Sequence, residues 1–282
     1  MSTDETPLRC PVCEASLVLI EKRYVCAANH SFDVARQGYV NLLQSNKRKS
    51  KDPGDSSEMV QCRRRFLAQD HYAPISLALN QQVTHHLSGK QDQLLDVGCG
   101  EGYYLQQLMR HCAAEERVPQ GVYGLDISKP AIAAAAKAVP EVTWIVGTSA
   151  SLPFHDASLD VVLCVFSRIC AEEFARVLKP EGTLIIAVPG EVHLMSLRAL
   201  IYDKVVAHQA SKHEQAMSPW FVCDTSERVS YNLYLNTTDD ILNLLAMTPY
   251  YWSISPEKKA ALAQLENLDV GIDVNVISMR LK

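Results

Sequence analysis

The 282-residue sequence has no uninterrupted apolar run approaching the ~18 residues that a membrane-spanning helix needs, which excludes a bilayer anchor. The opening residues, MSTDETPLRC, lack the order of a secretory signal, so the chain is expected in the reducing cytoplasm with its cysteines as thiols or metal ligands. The nine cysteines cannot all pair, which argues against a closed disulfide framework. With 48% hydrophobic and 21% charged residues, the composition leaves no room for a disordered, collagen-like or coiled-coil chain. The length suits one large domain and something smaller.

A large excess of one charge is also missing, but the modest net charge of -5 is unevenly divided. Residues 1–66 hold 11 Lys+Arg against 8 Asp+Glu, a net of +3, while the remaining 216 hold 16 against 24, a net of -8. Two clusters make the basic front: Lys47, Arg48, Lys49 and Lys51, then Arg63, Arg64 and Arg65. Such runs follow a phosphate backbone, since each neutralised phosphate releases condensed counterions. On charge alone a solvated face is the readier reading.

Near the N-terminus, Cys10-Pro11-Val12-Cys13 is followed after twelve residues by Cys26 and after three more by His30. A Cys-x2-Cys pair brings two thiolates to one ion, and Cys26-x3-His30 supplies the other half of a closed tetrahedron. Four protein ligands leave no open coordination position, so the expected Zn2+ is structural. Leu17–Ile20 and Tyr24-Val25 read as a hairpin, which favours a zinc ribbon over a finger. A segment this small depends on its metal to fold. Residues 1–36 are therefore expected to be the ribbon and 37–70 a basic connector. That connector contains a Pro53-Gly54 turn and a helix capped by Ser56, with Arg63–Arg65 on or near its exposed side.

Residues 71–282 form the expected large domain. Short apolar runs alternate there with helical stretches, the pattern of a parallel α/β sheet. Leu94-Leu95-Asp96-Val97-Gly98-Cys99-Gly100-Glu101-Gly102 reads as strand, glycine-rich turn and helix start; the glycines let the backbone bend and a ligand lie against it. Asp96 can accept from a ligand amine, and Asp126, ending the second strand, suits ribose hydroxyls. Leu152, in the Gly147–Phe154 loop, reads as an adenine neighbour or as core, and His193 as a ligand contact or a helix-start residue. Helix is expected over 194–207, 239–247 and 257–265, and strand over 183–188, 227–235 and 273–281. The turn is G-x-G-x-G and not the G-x-G-x-x-G of nicotinamide-dependent dehydrogenases.

This order resembles the class I (Rossmann-like) S-adenosylmethionine-dependent methyltransferases. The resemblance is carried by Asp96–Gly102, Gly124-Leu125-Asp126, Ser151–Phe154 and Arg176-Val177-Leu178-Lys179-Pro180-Glu181-Gly182. With the ribbon in front, the whole chain resembles the RlmA (RrmA) family of bacterial 23S rRNA guanine-N1-methyltransferases. Further matching residues are Phe32-Asp33, Gly38–Leu43, Asp52–Ser56, Gly102-Tyr103-Tyr104, His193-Leu194-Met195 and Met247-Thr248-Pro249. The resemblance implies S-adenosylmethionine as cofactor, a guanine in a 23S rRNA hairpin loop as substrate, and cofactor contacts at Tyr72, Cys99, Gly100 and His193. Where the family tends to have an aromatic, a small residue and proline after the fourth strand, this chain has Phe166-Ser167-Arg168. No catalytic base is identified, and a homodimer is left open. Two other classes compete: a small-molecule methyltransferase with an accessory ribbon, and a non-catalytic RNA-binding protein that retains the cofactor.

Overall fold

The computed structural model of the protein describes residues 6–44, 53–87, 89, 91–208 and 215–282. Strands β1 (Leu17–Ile20), β2 (Arg23–Cys26) and β3 (Ser31–Asp33) form a small antiparallel sheet in that order. The expected hairpin is its first half, and its tight turn uses Glu21 at positive φ.

The remaining strands build one eight-stranded sheet. In chain order they are β4 (Tyr39–Asn41), β5 (Gln93–Val97), β6 (Gly121–Asp126), β7 (Thr143–Val146), β8 (Leu159–Val165), β9 (Leu178–Pro189), β10 (Phe221–Leu235) and β11 (Leu268–Leu281). Their spatial order is β10-β11-β9-β8-β5-β6-β7-β4. Pairing is parallel from β4 to β9 and antiparallel where β11 joins β9 and β10 joins β11. The central strands are buried on both faces, which is why they read as continuous apolar runs. β4 was not visible in the sequence. It is three residues long, without alternation, and its partner β7 lies far along the chain, Tyr39 opposite Trp144 and Asn41 opposite Val146.

The helices are α1 (Ser57–Leu67), α2 (Ala73–His86), α3 (Tyr103–Ala114), α4 (Lys129–Ala138), α5 (Ala171–Val177), α6 (Met195–Ile201), α7 (Thr238–Ala246) and α8 (Pro256–Leu262). α1 starts as expected: the Ser56 hydroxyl accepts from the Met59 N–H, Glu58 sits in the first turn, and Met59, Val60, Phe66 and Leu67 are buried. The helix expected over 194–207 stops at Ile201, because Tyr202 turns to extended backbone and its hydroxyl bonds Ser253. The final strands are longer than expected because their mutual pairing continues from Phe221 opposite Leu281 to Leu235 opposite Leu268. β9 likewise begins at Leu178, not Thr183.

Two cores lie on the two faces of the sheet. One packs α1 to α4, α6 and α7 around Phe66, Ile75, Leu105, Ile132 and Leu244. The other joins Leu8, Leu17 and Tyr24 of the ribbon to Leu95, Phe154, Leu159 and Phe174. The ribbon is tied down by backbone as well, with Leu8 bridged to Phe154 and the Arg9 N–H donating to the Pro153 carbonyl (3.0 Å).

Candidate functional site

At the ribbon tip two turns face each other. In one, the Glu14 N–H donates to the Cys10 carbonyl (2.9 Å) with Glu14 at positive φ; in the other, the Asn29 N–H donates to the Cys26 carbonyl (2.9 Å) with Asn29 at positive φ. The turns bring the ligand atoms of Cys10, Cys13, Cys26 and His30 within 4.8 Å of one another. Cys13 Sγ is 3.6 Å from Cys26 Sγ, and His30 Nδ1 is 3.6 Å from Cys10 Sγ and 3.4 Å from Cys26 Sγ. Edges near these lengths are what Zn–S bonds of ~2.3 Å and Zn–N bonds of ~2.0–2.1 Å give in a tetrahedron. The quartet fits a structural Zn2+ with no coordination position left over.

The second site is a cavity of about 530 Å³ at the carboxyl ends of β5, β6, β8 and β9, outside the point where the sheet's winding reverses between β5 and β8. After β5 the chain turns through Gly98, Gly100 and Gly102, all at positive φ. A Cβ at Gly98 would meet Ser167 Oγ at 1.8 Å, so glycine is what lets Ser167 pack against the loop. The N–H groups of Gly98 and Cys99 both donate to the Leu125 carbonyl (2.7 and 3.1 Å), and the Gly100 N–H donates to Asp126 Oδ2 (3.0 Å). Asp126 Oδ1 accepts from the Ser128 N–H (2.7 Å). This carboxylate is thereby aimed beside the loop, with lone pairs remaining for a ligand hydroxyl.

Asp96 is different. It is 1% exposed, and neither carboxylate oxygen has a hydrogen-bond partner. Burial first, then the neighbouring Asp126 and Glu101, push its pKa up to about 8. A buried, unanswered carboxyl in a ligand-sized cavity is the complement of a cationic ligand. The glycine cradle and the orphaned Asp96 are what S-adenosylmethionine, with its ammonium and sulfonium, requires.

Part of the lining is aromatic. Tyr72 is fully buried at the start of α2, set edge-on to Phe66 (5.4 Å) and tilted toward Phe166 (6.2 Å). Phe166, at positive φ directly after β8, stacks on His193 at 5.9 Å with planes 16° apart. Burial lowers the His193 pKa to about 4, so the ring is neutral. Its Nδ1 accepts from the Asp273 N–H (3.2 Å), which leaves the ring proton on Nε2.

The cavity therefore assembles Tyr72, Asp96, Gly98, Cys99, Gly100, Asp126 and His193 from the sequence reading. Leu152 does not line it. Its side chain is wholly buried in the ribbon-side core, and its N–H donates to Glu173 Oε2 (2.7 Å). The basic clusters divide too. Arg64 and Arg65 are exposed, whereas Arg63 lines the cavity in an ion pair with Asp55 (2.6 Å). Lys47, Arg48, Lys49 and Lys51 lie outside the described residues. Asp55, Glu101, Phe166 and Tyr250 were not expected as site residues, although Asp55 and Glu101 stand in segments that carried the resemblance and Phe166 in the segment where the chain departs from the family pattern.

Comparison with known proteins agrees with both sites. Residues 8–51 match the N-terminal zinc ribbon family of RlmA, and residues 95–186 match a methyltransferase domain family. The chain is 31% identical to the "Putative 23S rRNA (guanine-N(1)-)-methyltransferase YxjB" of Bacillus subtilis (strain 168), covering 98% of each chain. It is 34% identical to the 23S rRNA (guanine(748)-N(1))-methyltransferase of Streptomyces fradiae, covering 90% of this chain and 88% of that one. Similarity along nearly the whole length, with ribbon and cofactor cavity both in place, means that the chain belongs to the RlmA family of guanine-N1 rRNA methyltransferases.

Proposed function

We propose that the protein transfers a methyl group from S-adenosylmethionine to N1 of a guanine in a hairpin loop of 23S rRNA. The observation that carries the reading is one cavity lined both by an acidic glycine turn with Asp96 and Asp126 and by the aromatic group Tyr72, Phe166 and His193. When bound, the cofactor supplies an activated methyl on a sulfonium.

The residues do the rest. Asp96 would accept from the ammonium, Asp126 would accept from the ribose hydroxyls, and the Cys99-Gly100 turn would hold the cofactor against the loop. Phe166, partly exposed, offers a face on which a flipped base can stack, and the neutral His193 can donate from Nε2. Fixing guanine N1 in line with the sulfonium methyl supplies much of the acceleration, since positioning converts an encounter into a near-attack geometry. N1 must also lose its proton as the new N–C bond forms and the S–C bond breaks.

A base edge is inaccessible in a duplex, so an unpaired loop nucleotide is the accessible target. Arg64 and Arg65 are exposed on α1, which also supplies Arg63 to the cavity lining, and this supports a role for them in meeting loop phosphates. A ribosomal RNA substrate supports a cytoplasmic location. No helix among the described residues is long and apolar enough to cross a membrane. A homodimer would be tested by sedimentation. β10 offers it a 15-residue, largely exposed edge strand.

Incubating transcribed 23S rRNA fragments with labelled S-adenosylmethionine tests the reaction. The expected product carries label and stops primer extension at one loop guanine, because a methyl on N1 blocks Watson–Crick pairing. Label without a stop sinks the N1 assignment, and label on small acceptors alone favours the small-molecule class.

A further inference from the structure

We propose that Arg63 binds the α-carboxylate of the methionyl moiety of S-adenosylmethionine. The assignment rests on the reading of the cavity as the cofactor site, and it gives Arg63 a task different from the RNA contact suggested by its place in a basic run.

The charges of the cavity and of the cofactor match. Asp55, Asp96, Glu101 and Asp126 all line the cavity, and Arg63 is the only Lys or Arg among the described lining residues. S-adenosylmethionine carries two cationic groups, its ammonium and its sulfonium, and one anion, its carboxylate. The acids answer the cations. The carboxylate would be buried beside four acids without a counter-charge unless Arg63 supplies one, and an unpaired buried charge is among the costliest arrangements a site can hold.

Position agrees with charge. Arg63 comes from α1, yet its guanidinium reaches across to the cofactor loop: Nη1 would stand 3.1 Å from a Cβ at Gly100. Glycine at that point, required also by its positive φ, keeps open the gap between loop and guanidinium. One edge is fixed by Asp55 (2.6 Å) and by donation from Nη2 to the Met247 carbonyl (3.4 Å). A guanidinium has five donors in a planar fork, so these two contacts leave three N–H groups for a second carboxylate. Burial opposes the charge on Arg63, but Asp55, Glu101 and Asp126 outweigh it and keep the group protonated.

The test compares two ligands that differ by the carboxylate alone, S-adenosylmethionine and decarboxylated S-adenosylmethionine, by titration calorimetry on the full chain. The wild-type protein is expected to prefer the carboxylated compound by about ten- to a hundredfold, the range of a charge-assisted contact. Arg63→Gln should lose that factor for S-adenosylmethionine and change its affinity for the decarboxylated compound less than threefold, with Arg63→Lys in between. Equal losses for both compounds would make Arg63 a clamp on the loop and overturn the assignment, as would no loss for either. Failure of the wild-type protein to bind both compounds would overturn the cofactor reading itself. Circular dichroism confirms the fold of each variant, and Arg63→Lys, which keeps the charge beside Asp55, carries the comparison if Arg63→Gln does not fold.

Discussion

Asp96 keeps its proton near neutrality because burial, and then the neighbouring Asp126 and Glu101, disfavour its charge, and this has a measurable consequence. A carboxyl whose folded pKa is raised to about 8 from an ordinary 3.8 binds a proton that the unfolded chain has already released across that interval. Its contribution to stability therefore falls as pH rises from about 4 to about 8 and is level above. A cationic ligand reverses the preference. Cofactor affinity should rise with pH from about 6 to about 8, with close to one proton released on binding at pH 7, and Asp96→Asn should bind weakly with neither effect. Calorimetry in two buffers of different ionisation enthalpy measures the released proton directly, and a pH-independent affinity would remove Asp96 from the ammonium site. The sequence showed that Asp96 ends a strand before a glycine turn. That Asp126 and Glu101 crowd it could not be read there, because the crowding depends on neighbours brought in by another strand and the next turn.

Among the elements, the ribbon is the one whose stability comes from outside its own core. Its tip is held by the Cys10, Cys13, Cys26 and His30 quartet, while its base shares apolar contacts with Phe154 and Leu159. Stripping zinc with a chelator, or Cys13→Ser, should abolish hydrogen-exchange protection in β1 to β3 while β5, β6 and β8 keep theirs. Uniform loss of protection would show instead that ribbon and sheet unfold as one unit. The hairpin and the ligand spacing were legible because both are local. β4 was not: a three-residue strand gains its identity from the β7 edge it pairs with, and the Gly38–Leu43 run has no alternation of its own. The Ser151–Phe154 loop shows the same limit. Arg176 bonds the Leu152 and Phe154 carbonyls as well as Glu173 and Asp156, and Glu173 takes the Leu152 N–H, so Leu152 is turned into the core and away from the cavity.

On the scale of the whole molecule, the division of charge predicts how RNA binding responds to salt. If Arg64 and Arg65 neutralise phosphates, log affinity falls linearly with log salt, and Arg64→Ala/Arg65→Ala should make the slope shallower by about 1–2 while leaving cofactor affinity unchanged. A slope unaffected by the double substitution would move the RNA path elsewhere on the surface. The +3 front and -8 remainder belong to the chain as a string, but the structure redraws the line through α1: Arg63 serves the acidic cavity, and its two neighbours face solvent.

The linear sequence by itself determined the class of fold, the metal quartet and the cofactor loop, because strand runs, ligand spacings and glycine turns are properties of residues close together along the chain. Only the tertiary structure decided that the connector enters the main sheet through β4, that the ribbon completes the second core, and that Phe166 and Arg63 line the cavity while Leu152 does not. Each of these depends on which distant groups come into contact, and burial, ion pairing and unsatisfied charge arise only from such contacts.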